Sequence, residues 1–292
     1  MTSNTMFRLF PGFLVMVSWC AESHAQVQWQ RTEQEIEHDV QVFHASKVLG
    51  LPTAQMLRKG NFEFEISHRF VPPVKDGYAA LFGFDGPARM RLGVSYAVAD
   101  DWVMTVGRSS IDANTDLTIK YRLSQTEMSG MPFVSALQIG AAWNPVETFR
   151  RDHKDSVIVR GKGHSRHFQI FAQLMIDFQP MGQLAVGVVP SFLYNRDIGA
   201  EDVENTFVLG THLQLFLNRH WSIIGEYSPL LKEKSTWRNP AGLGMELETG
   251  AHIFEMFITN QVRINPAQFL AGAEYSFDGD NLRIGFMITR IL

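Results

Sequence analysis

Asn61-Phe62-Glu63-Phe64-Glu65-Ile66-Ser67-His68-Arg69-Phe70 places Phe62, Phe64, Ile66 and Phe70 on one face of an extended chain, and Glu63, Glu65, Ser67 and Arg69 on the other. Successive side chains of a strand point to opposite faces, so this alternation is what a strand shows between an apolar and a polar phase. The pattern recurs along the chain. Met90, Leu92, Val94, Tyr96 and Val98 alternate with Arg91, Gly93, Ser95 and Ala97. Leu117, Ile119, Tyr121 and Leu123 alternate with Thr118, Lys120 and Arg122. Phe168, Ile170, Ala172, Leu174, Ile176 and Phe178 alternate with Gln169, Gln173 and Asp177, and Phe207, Leu209, Leu213, Leu215 and Leu217 with Gly210, His212 and Gln214. Leu282, Ile284, Phe286 and Ile288 close the series against Arg283, Gly285, Met287 and Thr289.

A soluble sandwich gives the same alternation, so three further features decide for a membrane barrel. The apolar faces are almost wholly large aliphatic or aromatic residues, as contact with lipid allows. The polar faces carry charges and glycine in mid-strand, as a crowded wet lumen would. The links also alternate in length. Ala99-Asp100-Asp101, Gln179 to Gly182 and Asn218-Arg219-His220 are tight, whereas Val71 to Ala88, Asn144 to Gly163, Asn195 to Glu204 and Ser228 to Ala241 are long. Outer-membrane barrels have short periplasmic turns and long outer loops. Gln125 to Met131 is the one awkward, mid-length periplasmic turn.

The expected fold is all-β, a transmembrane antiparallel up-and-down barrel of about 12 strands. Nine are Asn61–Phe70, Arg89–Val98, Trp102–Ser109, Asp116–Ser124, Phe133–Trp143, Arg166–Phe178, Gln183–Tyr194, Asn205–Leu217 and Trp221–Tyr227. Gly242 to Asn260 reads either as two strands around Thr249-Gly250, leaving Gln261 to Gly279 as a loop, or as one long strand with Phe269 to Phe277 as the eleventh. The last strand ends the chain.

The N-terminal stretch reads as a secretory signal over residues 1–25. Arg8 supplies the positive charge, Leu9 to Ala21 is uncharged, and Ser23-His24-Ala25 puts small residues at the positions a signal peptidase reads, with cleavage after Ala25. A helical anchor would need about 18 apolar residues, which favours cleavage. Cys20 is the only cysteine of the 292 residues and lies inside this leader, after Trp19, where a lipoprotein site needs a small residue. The mature chain therefore has no thiol for disulfides, metal sites or nucleophiles. Formal net charge is −4, so no basic footprint for nucleic acid is present. After the leader no long apolar run exists, which excludes a helical membrane protein. Residues 26–60 are expected to form a periplasmic arm, and 61–292 the barrel. Within the arm, Ile36, Val40 and Phe43 are spaced for one short amphipathic helix, the alternative being a loosely ordered segment.

Several stretches resemble an uncharacterised, domain-of-unknown-function family of Gram-negative outer-membrane β-barrel proteins. They are Gly60-Asn61-Phe62-Glu63-Phe64-Glu65-Ile66-Ser67-His68-Arg69-Phe70, Leu81-Phe82-Gly83-Phe84-Asp85, Arg91-Leu92-Gly93, Gly107-Arg108-Ser109-Ser110, Lys120-Tyr121-Arg122-Leu123, Glu248-Thr249-Gly250-Ala251-His252-Ile253-Phe254 and Gly285-Phe286-Met287-Ile288-Thr289-Arg290. The resemblance covers nearly all of the chain after residue 42 and implies an outer-membrane barrel with no assigned activity. Ile284, Phe286, Ile288 and Leu292 also resemble the C-terminal signal read by the barrel insertion machinery, although that signal normally ends in Phe or Trp.

The inward parity collects Glu63, Glu65, Arg69, Arg91, Lys120, Arg122, Asp177, Glu226, Glu255 and Arg283. Rings of charged side chains set selectivity in pores, so these residues could form a constriction. They could equally form an ion-pair network filling a narrow barrel. Twelve strands lie between eight, where side chains fill the lumen, and sixteen, where a channel remains, and this favours the network.

Other candidates are weaker. His164 and His167 are three apart, facing opposite sides of a strand, and read as surface histidines; His212 faces the lumen beside Gln214; His68 and His252 fall on the apolar face near strand ends. Ser67 and His68 are adjacent, so they point apart and do not pair as a lipase-type nucleophile and base. Neither a metal nor a cofactor is expected. Arg150, Arg151, His153 and Lys154 alternate with Asp152 and Asp155 in a long loop, a solvated run or a lipopolysaccharide contact. Phe82, Phe84 and Pro72-Pro73 make the first long loop unusually apolar, a candidate plug, partner surface or lid. The functional classes left open are a narrow channel or ligand-conducting barrel for small solutes, a non-conducting scaffold for periplasmic or surface partner proteins, and, with least support, a lipase-type enzyme. The expected surroundings are outer-membrane lipid and lipopolysaccharide.

Overall fold

A computed structural model describes residues 40–151, 157–231 and 237–292. The leader, residues 26–39 of the expected arm with Ile36, and Asp152 to Asp155 of the charged loop lie outside the described residues. In chain order the strands begin with the two-residue β1 (Lys47–Val48) and β2 (Leu51–Pro52). Then come β3 (Phe62–Phe70), β4 (Ala88–Ala99), β5 (Trp102–Ser109), β6 (Thr115–Met128) and β7 (Met131–Trp143). A small hairpin, β8 (Thr148–Arg151) and β9 (Val157–Arg160), follows. The chain continues with β10 (Phe168–Met181), β11 (Leu184–Tyr194), β12 (Thr206–Phe216), β13 (Trp221–Tyr227), β14 (Ala241–Glu248), β15 (His252–Thr259), the short helix α1 (Pro266–Leu270) and β16 (Arg283–Ile291).

Strands β3 to β7 and β10 to β16 form a closed antiparallel barrel of twelve, with β16 returning to β3 so that Ile288 lies opposite Ile66. Closure gives every strand two partners. That is the condition for crossing lipid with strands, since an open edge would leave peptide groups without hydrogen bonds. No described helix is long and apolar enough to cross a membrane.

The period-two pattern decides which side chains face out. Val94, Val106, Leu117, Ile139, Ile170 and Leu243 are exposed on the outer wall, while Ser95, Asp116, Gln138 and Gln169 of the same strands are buried inside. Aromatics gather at both rims. Phe62, Tyr96, Trp102, Tyr121 and Trp221 are exposed at the short-turn end, and Trp143, Phe168, Tyr194, Phe207 and Tyr227 at the long-loop end. Such paired girdles are the mark of a barrel spanning two lipid–water interfaces, where amphipathic rings are favoured.

Most of the expected strands are present with shifted ends, and the differences have local causes. Gln125 to Met131 is not a loop: β6 and β7 continue as a hairpin closed by Ser129 and Gly130, with φ of 56° and 77°. Two positive φ values are what a tight type I′ turn needs, and Ser-Gly supplies them. Of the two readings after Gly242, the one with strands on either side of Thr249-Gly250 holds, and Phe269 to Phe277 is not a strand. Val40 and Phe43, the described part of the expected helix, are not helical.

If the outer wall meets lipid, a charge at its middle is costly. Val106→Lys should destabilise the inserted barrel by about 2–4 kcal/mol in urea titrations of folding into lipid vesicles. An unchanged midpoint would contradict the lipid-facing assignment.

Candidate functional site: the occupied lumen

Residues 40–57 do not form an arm separate from the barrel. They enter the lumen from the short-turn end as a hairpin, β1 and β2 forming its tip. Val42, Phe43, Ala45, Val48, Leu49, Leu51 and Ala54 are all at most 2% exposed. From the long-loop end a second segment folds in: all five residues of α1 are buried. The two meet at Gly50, where a Cβ would lie 2.4 Å from the Phe269 ring. Only glycine allows that approach.

The lumen wall is two-sided. On β7 and β10 to β12, inward positions include Val134, Ala136, Phe171, Met175, Ala185, Val189, Leu193 and Val208, which form one buried cluster with the apolar residues of the hairpin and with Phe269 and Leu270. On the remaining wall, inward positions are mostly charged residues, serine, threonine and glycine, among them Glu63, Glu65, Arg91, Asp116, Lys120, Glu226, Glu246 and Glu255. An extended hairpin suits this surface, because it offers apolar side chains to one wall and backbone groups to the other.

The tip shows the polar side at work. Glu226 accepts hydrogen bonds from the Gly50 and Leu51 amides at 2.8 and 3.2 Å, Glu255 accepts from the Leu49 amide at 3.1 Å, and Arg69 donates to the Leu49 carbonyl at 3.4 Å. Leu49 has φ of 49°, a left-handed conformation that costs a branched residue about 1–2 kcal/mol. Hydrogen bonds to charged groups contribute about 1.5–3 kcal/mol each, so three amides on two carboxylates outweigh that strain.

The legs are held in the same way. Asp177 accepts from the Ala54 amide at 2.6 Å, and Lys120 donates to the carbonyls of Thr53 and Gln55 at 3.1 and 3.0 Å. Ser46 donates to Glu63 at 2.7 Å, Lys47 to Glu65 at 2.7 Å, and the His44 ring lies 2.7 Å from Glu246. Burial pulls the Lys47 ammonium below the ordinary lysine range, opposed by the Glu65 carboxylate beside it. Arg91 ties the plug system to the second segment: it donates to Glu65 at 2.9 Å, Asp116 at 3.2 Å and Asn265 at 2.7 Å. Between Lys47, Glu65, Arg91 and Lys120 a cavity of about 40 Å³ remains, on the scale of a water molecule.

Of the ten charged positions read from the sequence, Glu63, Glu65, Arg69, Lys120, Asp177, Glu226 and Glu255 contact the hairpin directly, and Arg91 does so through Glu65. The other two stand apart. Arg122 is half-buried at the short-turn end against Asp101, and Arg283 lies at the long-loop end over the Tyr275 ring. Lys47, Asp116 and Glu246 complete the network without having been singled out. Asp116 and Glu246 do fall on the inward parity of their strands, whereas nothing in the hairpin's own sequence marks Lys47.

The remaining candidates disperse. His212 is in the lumen, 3.3 Å from Asp177, with Phe43 edge-on to its ring. His167 is fully buried in a 3-10 turn and not at the surface, its Nε2 3.3 Å from Thr148. Ser67 is buried inside, accepting from Arg69, while His68 stacks outside on Phe286, so the two do not meet. His252 is half-buried, its ring 5.9 Å from that of Phe254. The Phe82–Phe84 loop does not enter the lumen.

Two substitutions test this packing. Glu226→Ala leaves the Gly50 and Leu51 amides without an acceptor; hydrogen exchange at these two positions should accelerate by an amount corresponding to about 2–3 kcal/mol, and unchanged protection would contradict the cradle. At Gly187 a Cβ would lie 2.1 Å from His212 and 2.4 Å from Asp177. Gly187→Val should therefore cost about 1–3 kcal/mol by overpacking, seen as a lower temperature of heat modification on gels, whereas an open lumen would tolerate it.

No match to a curated protein is found. Among solved structures, the chain is similar to the NanC porin at 8% identity, covering 79% of this chain and 98% of that one, with a TM-score of 0.49. It is also similar to the outer membrane protein Omp33 of Acinetobacter baumannii (10% identity, 82% and 100% covered, TM-score 0.40) and to LpxR from Salmonella typhimurium (11%, 80% and 99%, 0.36). Residues 43–292 match the model of the family described as Membrane bound beta barrel domain (DUF5777), a span that begins inside the lumen hairpin and takes in every strand of the barrel, so the chain belongs to that family of membrane-bound barrels.

Proposed function

We propose that this protein is an outer-membrane barrel closed by its own chain, a non-conducting scaffold that presents its long-loop end at the surface. One observation carries this reading. The wall charges that a pore would offer to a passing solute are engaged by backbone groups of residues 46–55: Glu226, Glu255, Asp177 and Lys120 all bond to peptide N–H or C=O groups. A selectivity ring works by leaving such charges free for the ion. The apolar wall supports the same reading, because Phe43, Leu49 and Leu51 cover it in one buried cluster. A conducting barrel would need the hairpin to leave the lumen, exposing both the apolar wall and the carboxylates.

The paired aromatic girdles and the short and long connections at opposite ends support placement in the outer membrane. Exposed Phe149, Val157 and Val159 on the β8–β9 hairpin give the long-loop end an apolar surface for a partner protein.

Conductance decides between the two readings. The full mature chain, folded by the heat-modification criterion and reconstituted in planar bilayers, should give no unitary steps. Discrete steps from the unmodified chain would overturn the closed-scaffold reading.

A further inference from the structure

The apolar first loop, which neither the lumen nor the closed-scaffold reading uses, lies against the outside of the barrel. Phe70 ends β3 on its outward face. Its ring lies 6.2 Å from Phe286 on the outward face of β16, and 5.0 Å, edge-on, from Phe84 of the loop. Phe286 in turn stacks on His68 at 4.6 Å. A continuous series of rings thus runs from the lipid-facing wall into the loop. The loop is fastened at its base, where the Val71 amide bonds to Pro87 at 2.9 Å and the Val74 amide to Leu282 at 2.8 Å.

Above this base the chain takes an unusual shape. Val74–Gly83 forms 3-10 turns interrupted at Leu81 and Phe82, which have φ of 44° and 55°. Bulky residues rarely adopt the left-handed region, and two in succession are rarer still. The conformation leaves both side chains outside the protein, 45% and 49% exposed, next to Tyr78 at 85%. Ala79 to Phe84 carries no charge, while Lys75 and Asp76 precede it and Asp85 follows.

We infer that Leu81, Phe82 and Phe84 form a foot that enters the interfacial zone of the lipid leaflet at the long-loop end. Lipid is the occupant because the patch continues the outward apolar wall through Phe84 on Phe70 and Phe286, and lies at the same end of the barrel as the aromatic rim of Trp143, Phe168, Tyr194 and Tyr227. Aromatic rings are favoured at headgroup level, and the flanking charges lie where water and headgroups can solvate them.

The test labels single cysteines with an environment-sensitive fluorophore in the full chain, reconstituted in phosphatidylethanolamine–phosphatidylglycerol vesicles. The positions are Phe82→Cys in the foot, Phe207→Cys on the exposed wall and Gly161→Cys in an exposed loop. The unsubstituted chain carried through labelling corrects for Cys20. The label at 82 should match that at 207: blue-shifted, losing most of its emission to headgroup-nitroxide lipid, and resistant to aqueous iodide. A label at 82 that behaves like 161 overturns the inference. So does one that is blue-shifted yet blind to nitroxide lipid, which would mean that protein covers the loop. If Phe82→Cys does not fold, Leu81→Cys answers the same question.

Discussion

The capture of one turn holds the interior together. Leu49-Gly50-Leu51 presents three amides in a strained conformation, and Glu226 and Glu255 accept all three. A carboxylate enclosed in a lumen without a partner costs several kcal/mol, and so does a buried amide without an acceptor. Here each problem is the other's solution. Arg69 closes the arrangement by donating to the turn's carbonyl while its guanidinium lies over the Phe257 ring, 4.1 Å from the centroid. Shifting the turn would strand charges on three strands at once, which is why hairpin and wall behave as one body.

Barrel size explains why such a turn is needed. Inward side chains of twelve strands do not fill their lumen by themselves, and an empty apolar wall of Phe171, Met175, Val189 and Leu193 would not stay dry without something to cover it. The chain supplies the filling from both ends, the hairpin from one and α1 from the other, with glycine at position 50 where they touch. Arg91 then links strand, hairpin partner and second segment through three separate acceptors, each of its three nitrogens donating to a group that is itself buried. The lumen is thus organised like the core of a soluble domain turned inside a membrane wall, with lipid outside in place of water.

Much of the wall was legible from residue order. Alternation identified the strands, and the inward parity collected seven of the side chains that hold the hairpin, from Glu63 to Glu255. Parity says which face a residue takes and nothing about what it meets there. The same charges therefore read equally as a constriction or as a network. Positions such as Phe171 and Met175, apolar on the inward face, carry the signal that something apolar must lie inside, yet in sequence they look like interruptions of a polar face. The hairpin itself has no periodicity to betray it. Its strands are two residues each, and its spacing of Val40 and Phe43 imitates a helix that the chain does not form.

What the sequence by itself determined is the membrane wall: which residues meet lipid, roughly where the strands up to Tyr227 begin and end, and that the polar face is enclosed. These follow from local geometry, because a strand sorts its side chains by parity wherever it lies. What only the tertiary structure decided is the state of the lumen. Glu226 and Gly50 are 176 residues apart, and no local rule brings them together. Their pairing depends on the closed barrel, which creates an enclosed space where the two groups satisfy each other in place of water.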